Sequence, residues 1–576
     1  MNVETFLANF DLLAEAPNGI PKLRELILQL AVRGKLVPQD PSDESASELL
    51  KKIQAEKQRL IDEGVLRKTK PLAPLGERAV LAEIPSNWAW TRIGHLGAVS
   101  PRNYASDDEV VGFVPMSLVS DTYGVYPSYE ERAWGEIKKG YTHFADGDIV
   151  LAKITPCFEN GKAGVIRCLP NGFGAGTTEL HVLRPIPDLL VPEYLWIFFK
   201  SPAFTEEGRS YMTGTAGQKR VPKTYVETSP VPVPPLAEQK RIVAKVDELL
   251  ALCDDLEAKQ QAKRTKQIAL NRASLHALTQ PNGTDISASW HRVRDHFDDL
   301  YATTPETVAQ LRQTILQLAV IGRLVSQEPN DEPASELLKR IQVEKQRLIT
   351  EGKIRKRKPL PLIGREERSQ ELPVGWERAR LGEVGIINPR NTAPDDTIAG
   401  FVPMSLVFDT FGRYPKYEGR LWGEIKKGYT HFADGDVVLA KITPCFENGK
   451  AGVMRDLPNG FGAGTTELHV VRPIQDCVMP EYIWIFFKSA GFRNSGAAQM
   501  TGTAGQKRVP KTYVESSVFP LAPLAEQKRI VAKVDQLMAL CDDLEAKLQQ
   551  TQTDADNLLA AIVHELVNGN AERQGT

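Results

Sequence analysis

Apolar residues recur along the chain with two periods, and the change from one to the other divides it. In SASELLKKIQAEKQRLI, Leu49, Ile53 and Leu60 fall on one face of a helix, and Ser45 and Glu48 stand at capping-box spacing. Further on, PLAEQKRIVAKVDELLALCDDLEAK places Ile242, Val246, Leu249, Cys253 and Leu256 alternately four and three residues apart, a heptad seam. Ile530, Val534, Leu537, Cys541 and Leu544 repeat that seam, and Leu548, Ala555, Leu558 and Ile562 prolong it. Between the helical stretches lie short β-type runs (GFVPMSLV, DIVLAKI, ELHVLRPI) separated by Gly, Asn and Pro turns, with a short EYLWIFFKS segment. That mixture predicts an α/β domain. One apolar seam equally suits a helix lying on its own domain, but two matched seams in one chain favour antiparallel packing of the helices on each other.

The pattern is written twice. LRELILQLAV from Leu23 returns as LRQTILQLAV from Leu311; GEIKKGYTHFADGD begins at Gly135 and Gly423; KITPCFENGKAGV at Lys153 and Lys441; MTGTAGQKRVPKTYVE at Met212 and Met500; PLAEQKRIVAKVD at Pro235 and Pro523. The offset is always 288 residues, half of 576, and about three quarters of positions 101–235 match 389–523. Units of this size are domains rather than solenoid repeats. They predict pseudo-two-fold symmetry within one chain. The expected division is a helical segment over 1–75, an α/β domain over 76–235, a spacer helix over 236–280, a linker and helical segment over 281–363, a second α/β domain over 364–523 and a spacer helix over 524–576. A hinge is expected near Pro281, Asn282 and Gly283.

Composition narrows the class without choosing a partner. Hydrophobic residues make up 42% and charged residues 25%, as in soluble globular proteins. No apolar run approaches the ~18 residues of a membrane helix, and the start of the chain lacks the pattern of a secretory signal. Six scattered cysteines without a Cys-x-x-Cys pair argue against a zinc site or disulfide framework and suit a reducing cytoplasm. A net charge of −2 leaves nucleic-acid binding open, since a local basic surface suffices.

Domains opening with PSNWAWTRIGHLG (Pro85–Gly97) or PVGWERARLGEVG (Pro373–Gly385) and closing with PLAEQKRIVAKVD resemble those of type I restriction–modification specificity subunits, as does the leading LRELILQLAVRGKLVPQDP. The resemblance spans the whole chain in the family's order of recognition domain, spacer helix, recognition domain, spacer helix. It implies two α/β recognition domains, pseudo-two-fold related and joined by long antiparallel coiled-coil helices, each reading one half of a split double-stranded DNA target. The partners it implies are two adenine methyltransferase subunits and the restriction (motor) subunits. The family's two recognition domains are usually unrelated; here they are near copies.

The chain itself offers no catalytic signature. There is no Asn-Pro-Pro-Tyr-type loop for a flipped adenine, no Gly-rich cofactor turn and no Gly-x-x-x-x-Gly-Lys-Ser/Thr loop for ATP. No cofactor, metal or catalytic residue is expected. His143 and His431, in KKGYTHFADGD, read as packed or solvated side chains.

Under the resemblance, four segments per unit combine groups for base edges and phosphates. The first holds Arg102 and Asn103, matched by Arg390 and Asn391; it also reads as a capped turn. The second holds Lys138, Lys139 and Tyr141, matched by Lys426, Lys427 and Tyr429; it also reads as solvated surface. The third, a β run ending in a Pro/Asn/Gly loop, holds Lys153, Thr155, Glu159, Asn160 and Lys162, matched by Lys441, Thr443, Glu447, Asn448 and Lys450. The fourth and strongest is the Gly-rich loop with Thr215, Gln218, Lys219 and Arg220, matched by Thr503, Gln506, Lys507 and Arg508, where small residues admit phosphate and the long side chains reach DNA. Basic stretches at 67–70 and 353–358 read as linkers or phosphate contacts.

Near-identical domains turned over by a two-fold should read the same word on opposite strands, an interrupted palindrome. The copies differ most at 202–211 (PAFTEEGRSY) against 490–499 (AGFRNSGAAQ). The competing expectation is an assembly scaffold whose duplicated domains bind another ligand.

Overall fold

The fold comes from a computed structural model, which describes residues 10–68, 70–73, 75, 83–215, 217–279, 291, 295, 297, 304–356, 358–368, 371–503 and 505–568. The expected hinge at Pro281, Asn282 and Gly283 lies outside the described residues, as do Thr69 and Arg357 of the basic stretches and Ala216 and Ala504 of the Gly-rich loops. The chain divides into two compact units: unit 1 takes in Met1–Ala262 and Gln552–Thr576, unit 2 Lys263–Thr551.

After a short helical turn at Phe10–Glu15, unit 1 carries helices α1 (Gly19–Val32) and α2 (Ala46–Asp62). Ser45 caps α2, its Oγ accepting the Glu48 N–H at 3.4 Å, and Leu49 and Ile53 are buried. The strands are β1 (Ala89–Arg92), β2 (Gly97–Val99), β3 (Val110–Val114), β4 (Glu130–Ala133), β5 (Thr142–Ala145), β6 (Ile149–Ala152), β7 (Ala163–Val165), β8 (Phe173–Gly176), β9 (Leu180–Pro185) and β10 (Pro230–Val233); helices α3 (Pro192–Lys200) and α4 (Pro202–Tyr211) and a short helix at Lys223–Thr228 separate the last two. Strand β1 pairs antiparallel with β10, so the opening and closing motifs of the domain lie side by side. The other strands form two four-stranded sheets, ordered β2-β9-β6-β7 and β4-β3-β8-β5. All their pairs are antiparallel except β3 with β8.

The two-residue period of β6 explains the layers. Ile149 and Leu151 join Leu195, Trp196 and Phe199 of α3 in one core. Val150, pointing the other way, joins Val114, Phe144 and Val182 between the sheets. DIVLAKI is therefore apolar on both faces because both are covered. Glycine is obligatory in β8: a Cβ on Gly174 would stand 2.0 Å from the carbonyl oxygen of Gly112.

Helix α5 (Leu236–Thr279) is 44 residues long, about 66 Å at 1.5 Å per residue. Its heptad seam is buried within unit 1: Ile242, Val246, Leu249 and Cys253 share a core with Leu23, Leu26, Ile27 and Leu30 of α1, and Leu256 packs against that core. Arg24 of α1 holds Asp254 at 2.6 Å and Glu257 at 2.9 Å. This corrects the expectation that Ile242–Leu256 packs on Ile530–Leu544, since each stretch lies in the core of its own unit. A four–three apolar stripe marks any helix with one buried side, and the helix that covers it is the repeated LRELILQLAV. Unit 1 also contains the end of the last long helix, where Lys22 of α1 pairs with Asp556 at 3.0 Å and Ile562 packs on the core.

Unit 2 repeats this plan with helices α6 (Pro305–Val320) and α7 (Ala334–Thr350), strands β11–β20 (Glu377–Arg380 through Val518–Leu521, with β19 at Leu468–Pro473), α8 (Pro480–Lys488), α9 (Ala490–Ala498) and the 45-residue α10 (Leu524–Asn568). Ile530, Val534 and Cys541 are buried in its own core, Leu537 and Leu544 pack on it, and Arg312 of α6 holds Asp542 and Glu545. The far end of α5 belongs to this unit, with Leu275 and Leu278 buried against Leu318 and Ile321.

Candidate nucleic-acid interface

Two of the four sequence segments are zipped together in each unit although about fifty residues part them. The loop after β6 (153–162) and the Gly-rich loop after α4 (213–220) exchange backbone hydrogen bonds. The Thr155 N–H donates to the Lys219 carbonyl at 2.9 Å, the Val221 N–H donates to the Lys153 carbonyl at 2.8 Å, and the Lys219 N–H donates to Thr155 Oγ1 at 3.2 Å. The Gly-rich loop closes on itself through paired bonds between Thr213 and Arg220. Phe158 is fully buried beneath the first loop, and Lys200 Nζ at the end of α3 donates to the Gly161 carbonyl at 2.8 Å. In unit 2 Thr443 and Lys507 make the same pair of bonds, at 2.9 and 3.1 Å, and Lys488 Nζ reaches the Gly449 carbonyl at 2.6 Å. Burial pushes Lys200 and Lys488 down to about 7. Sequence reasoning missed these lysines; the lone cation ending an otherwise apolar EYLWIFFKS was the available signal.

Once the loops are tied, Lys153, Glu159, Asn160, Thr215, Gln218 and Lys219 carry side chains with no hydrogen bond or ion pair to any described residue. Asn160, Thr215, Gln218 and Lys219 are exposed. Lys441, Glu447, Asn448, Thr503, Gln506 and Lys507 repeat the set in unit 2.

Other candidates have internal partners. Arg220 is bidentate to Glu179, with Nε and Nη2 each 2.9 Å from a carboxylate oxygen and Nη1 on the Gln218 carbonyl; Arg508 does the same with Glu467. The guanidinium holds the Glu179 carboxyl below its ordinary range. Arg220 and Arg508, expected to reach DNA, therefore brace the loop. Thr155 and Thr443 are the tie itself, and Lys162 and Lys450 donate to the carbonyls of Met116 and Met404 at 3.3 Å.

The first two segments also meet each other, through His143. The Asn103 N–H donates to His143 Nδ1 at 3.1 Å, so Nε2 carries the ring proton and donates to the Lys138 carbonyl at 3.0 Å. Burial foremost, with the nearby guanidiniums of Arg102 and Arg184, pushes the imidazole pKa down. Asn103 uses both ends of its amide, donating to the Phe144 carbonyl at 2.7 Å and accepting from Arg184 at 3.0 Å. Arg184 is bidentate to Asp148, which is 1% exposed. Lys138 pairs with Asp107, and Tyr141 packs edge-on against Phe113 at 5.3 Å. Unit 2 repeats the network through Arg390, Asn391, His431, Arg472 and Asp436, with Lys426 on Asp395 and Tyr429 against Phe401. Asn103 and Asn391 thus have both amide groups engaged within the fold; Lys139 and Lys427 stay exposed.

The two groups of segments do not form one patch. Glu179 precedes β9 and Arg184 is near its end, five residues or roughly 17 Å of extended strand apart. The loop pair sits at one end of that strand and the histidine network at the other. Of the basic stretches, Arg67 donates to the Tyr104 hydroxyl at 3.3 Å and Lys353 pairs with Glu351. Among the described residues no cluster of His, Cys, Asp and Glu could hold a metal ion, and no helix is long and apolar enough to cross a membrane.

Comparison with known proteins follows the same duplication. The family model for the type I restriction modification DNA specificity domain matches twice, at residues 85–264 and 373–551. The specificity subunit of the type I restriction enzyme EcoAI from Escherichia coli is 41% identical over 576 aligned residues, covering 96% of this chain and 94% of that protein. The EcoEI specificity subunit, also from Escherichia coli, is 40% identical over 564, with the same coverage. A solved HsdS subunit from Thermoanaerobacter tengcongensis is a looser likeness, with TM-score 0.41, 20% identity, and 85% of this chain and 98% of that one covered. With both sheet domains matched and the likeness running through nearly its full length, the chain belongs to the type I restriction–modification specificity subunits.

Proposed function

We propose that each unit reads one half of a split DNA target through its zipped loop pair, and that the two halves are nearly the same word in inverted order. As a specificity subunit the chain is a non-catalytic component; in this reading it carries two methyltransferase subunits, and the restriction (motor) subunits that join them, to the target in the cytoplasm. The observation that carries the reading is the outward set Lys153, Glu159, Asn160, Gln218 and Lys219, left without internal partners and repeated residue for residue in unit 2. Asn suits adenine edges, Glu accepts from cytosine, Gln suits adenine, and the lysines suit guanine or phosphate. The long helices serve as an antiparallel spacer. Their length, about 66 Å, exceeds the ~34 Å of one DNA turn between half-sites, and each ends in the unit where the other begins.

Single-molecule methylation mapping of DNA from cells expressing the chain with its methyltransferase tests the target. An interrupted palindrome is expected; a bipartite motif with unrelated halves overturns that part of the proposal. A gel shift of the complex on the mapped motif, with Lys219→Ala and Lys507→Ala, tests the loops. Unchanged affinity at every salt concentration removes them from the interface and favours the scaffold alternative.

A further inference from the structure

The decapeptide where the two copies differ most forms a helix in both units, α4 and α9. Two residues of its buried face are unchanged, and the third, Thr205, gives way to Arg493. Phe204 and Gly208 match Phe492 and Gly496, and a Cβ on either glycine would stand 2.4 Å from the ring of Phe158 or Phe446, the aromatic beneath the recognition loop. The other eight positions all differ. One contact nevertheless survives. Arg209, in the last turn of α4, donates from Nη2 to the Glu159 carbonyl at 3.1 Å. Its counterpart in unit 2 is Ala497, which cannot donate. There Arg493, in the first turn of α9 and matched in unit 1 by Thr205, donates from Nη1 to the Glu447 carbonyl at 3.0 Å. Two arginines from opposite ends of the helix thus reach one and the same carbonyl of the loop.

The surroundings explain how either position serves. Arg493 is steadied by Gln313 of α6, whose Oε1 accepts its Nη2 at 2.6 Å, and its stem lies 3.2 Å from where a Cβ on Gly449 would stand. In unit 1 nothing lies within 4 Å of that point on Gly161, and the counterpart of Gln313 is the exposed Glu25. An arginine replacing Thr205, which is buried and donates to the Ser201 and Pro202 carbonyls, would have the open side of Gly161 and Glu25 where Arg493 has Gly449 and Gln313.

We infer that Arg209 and Arg493 are positioning residues for base recognition: each clamps the carbonyl joining Glu159 to Asn160, or Glu447 to Asn448, so that those side chains are presented alike in the two units. A charge-assisted bond to that carbonyl fixes the peptide plane between the two reading residues. The divergent helix then changes its outer face without changing the word read, and its differences do not break the palindrome. The inference rests on the reading that the 153–162 loop meets DNA.

The test uses the full chain in complex with its methyltransferase subunits, and as probes the duplex mapped by methylation together with its single-base variants. Arg209→Ala/Arg493→Ala is expected to lower discrimination between these duplexes about three- to tenfold, the range for one lost hydrogen bond. Its melting temperature should hold, because Thr155, Phe158 and Gly161 still anchor the loop. Moving the arginine is expected to restore discrimination to within about twofold, either as Thr205→Arg/Arg209→Ala in unit 1 or as Arg493→Ala/Ala497→Arg in unit 2. If Asn160→Ala/Asn448→Ala leaves affinity and discrimination untouched, the loop reading fails and the inference falls with it. If those substitutions do lower discrimination but Arg209→Ala/Arg493→Ala does not, or neither relocated arginine restores it, the positioning role alone is overturned.

Discussion

The two ends of β9 carry the same kinds of residue in opposite conditions. At the Arg184 end, an asparagine, a histidine, a lysine and arginines form a closed network in which Asn103 uses both amide groups and Asp148 is 1% exposed. At the Glu179 end, the backbone does the tying, and the asparagine, glutamine and lysines of the loops are left facing outward. Residue type suggested both as DNA-reading sites. The difference teaches that a polar side chain is available to a ligand only where main-chain bonds, rather than that side chain, hold the local structure.

The sharpest way to break this comparison is to cut each end in turn. Arg184→Ala leaves the buried Asp148 carboxylate without its cation, and a loss of about 3 kcal/mol is expected. It should be read as a lower urea midpoint at unchanged m-value, with the DNA affinity of the folded protein preserved. Loss of DNA discrimination without loss of stability would make the histidine network the reading site instead.

The next effect is one of pH. Lys200 and Lys488 sit near 7 when folded and near ~10.4 when unfolded. Between these values the unfolded chain binds more protons, so stability rises with pH, by up to about 1.4 kcal/mol per pH unit for each lysine, and the gain is absent below pH 7. Denaturant midpoints between pH 6 and pH 9.5 measure the slope, and Lys200→Met/Lys488→Met should flatten it.

At the outward end, Asn160→Ala or Asn448→Ala should cost about 1–3 kcal/mol of discrimination at one base pair of a half-site. Lys219→Ala should lower affinity for all sequences and reduce the salt slope by about 0.9. A titration of affinity against salt separates the two kinds of contact.

The smallest effect belongs to Arg220. Its pair with Glu179 is open to solvent, which screens it, and Arg220→Ala should leave the urea midpoint nearly unchanged. It does uncover a carboxylate beside the reading loops, so DNA binding should weaken and Glu179→Gln in the same chain should restore it. Absence of rescue would return Arg220 to the DNA contacts that its sequence suggests.

Much of this architecture is legible in single residues. The capping pair Ser45 and Glu48, the doubly apolar DIVLAKI strand and the 288-residue repeat each specify local structure by a short-range rule. The loop pair is legible as two dense polar segments, but their union is not, because Thr155 and Lys219 lie 64 residues apart and meet only through β6 and α4. Arg209 and Arg493 escape any alignment of the repeats, since they occupy different positions and act alike.

The sequence by itself determined the duplication, the element types, the family and the residue types that the loops expose, because periodicity and motif spacing are properties of neighbours along the chain. Tertiary structure alone decided which of those side chains remain outward. The heptad seam is buried by the nearby α1 helix, Arg220 is bound by Glu179, and Asn103 is bound by Arg184. Each partner is remote in sequence, and whether a polar or apolar group is already satisfied depends on what the fold places within a few ångströms of it.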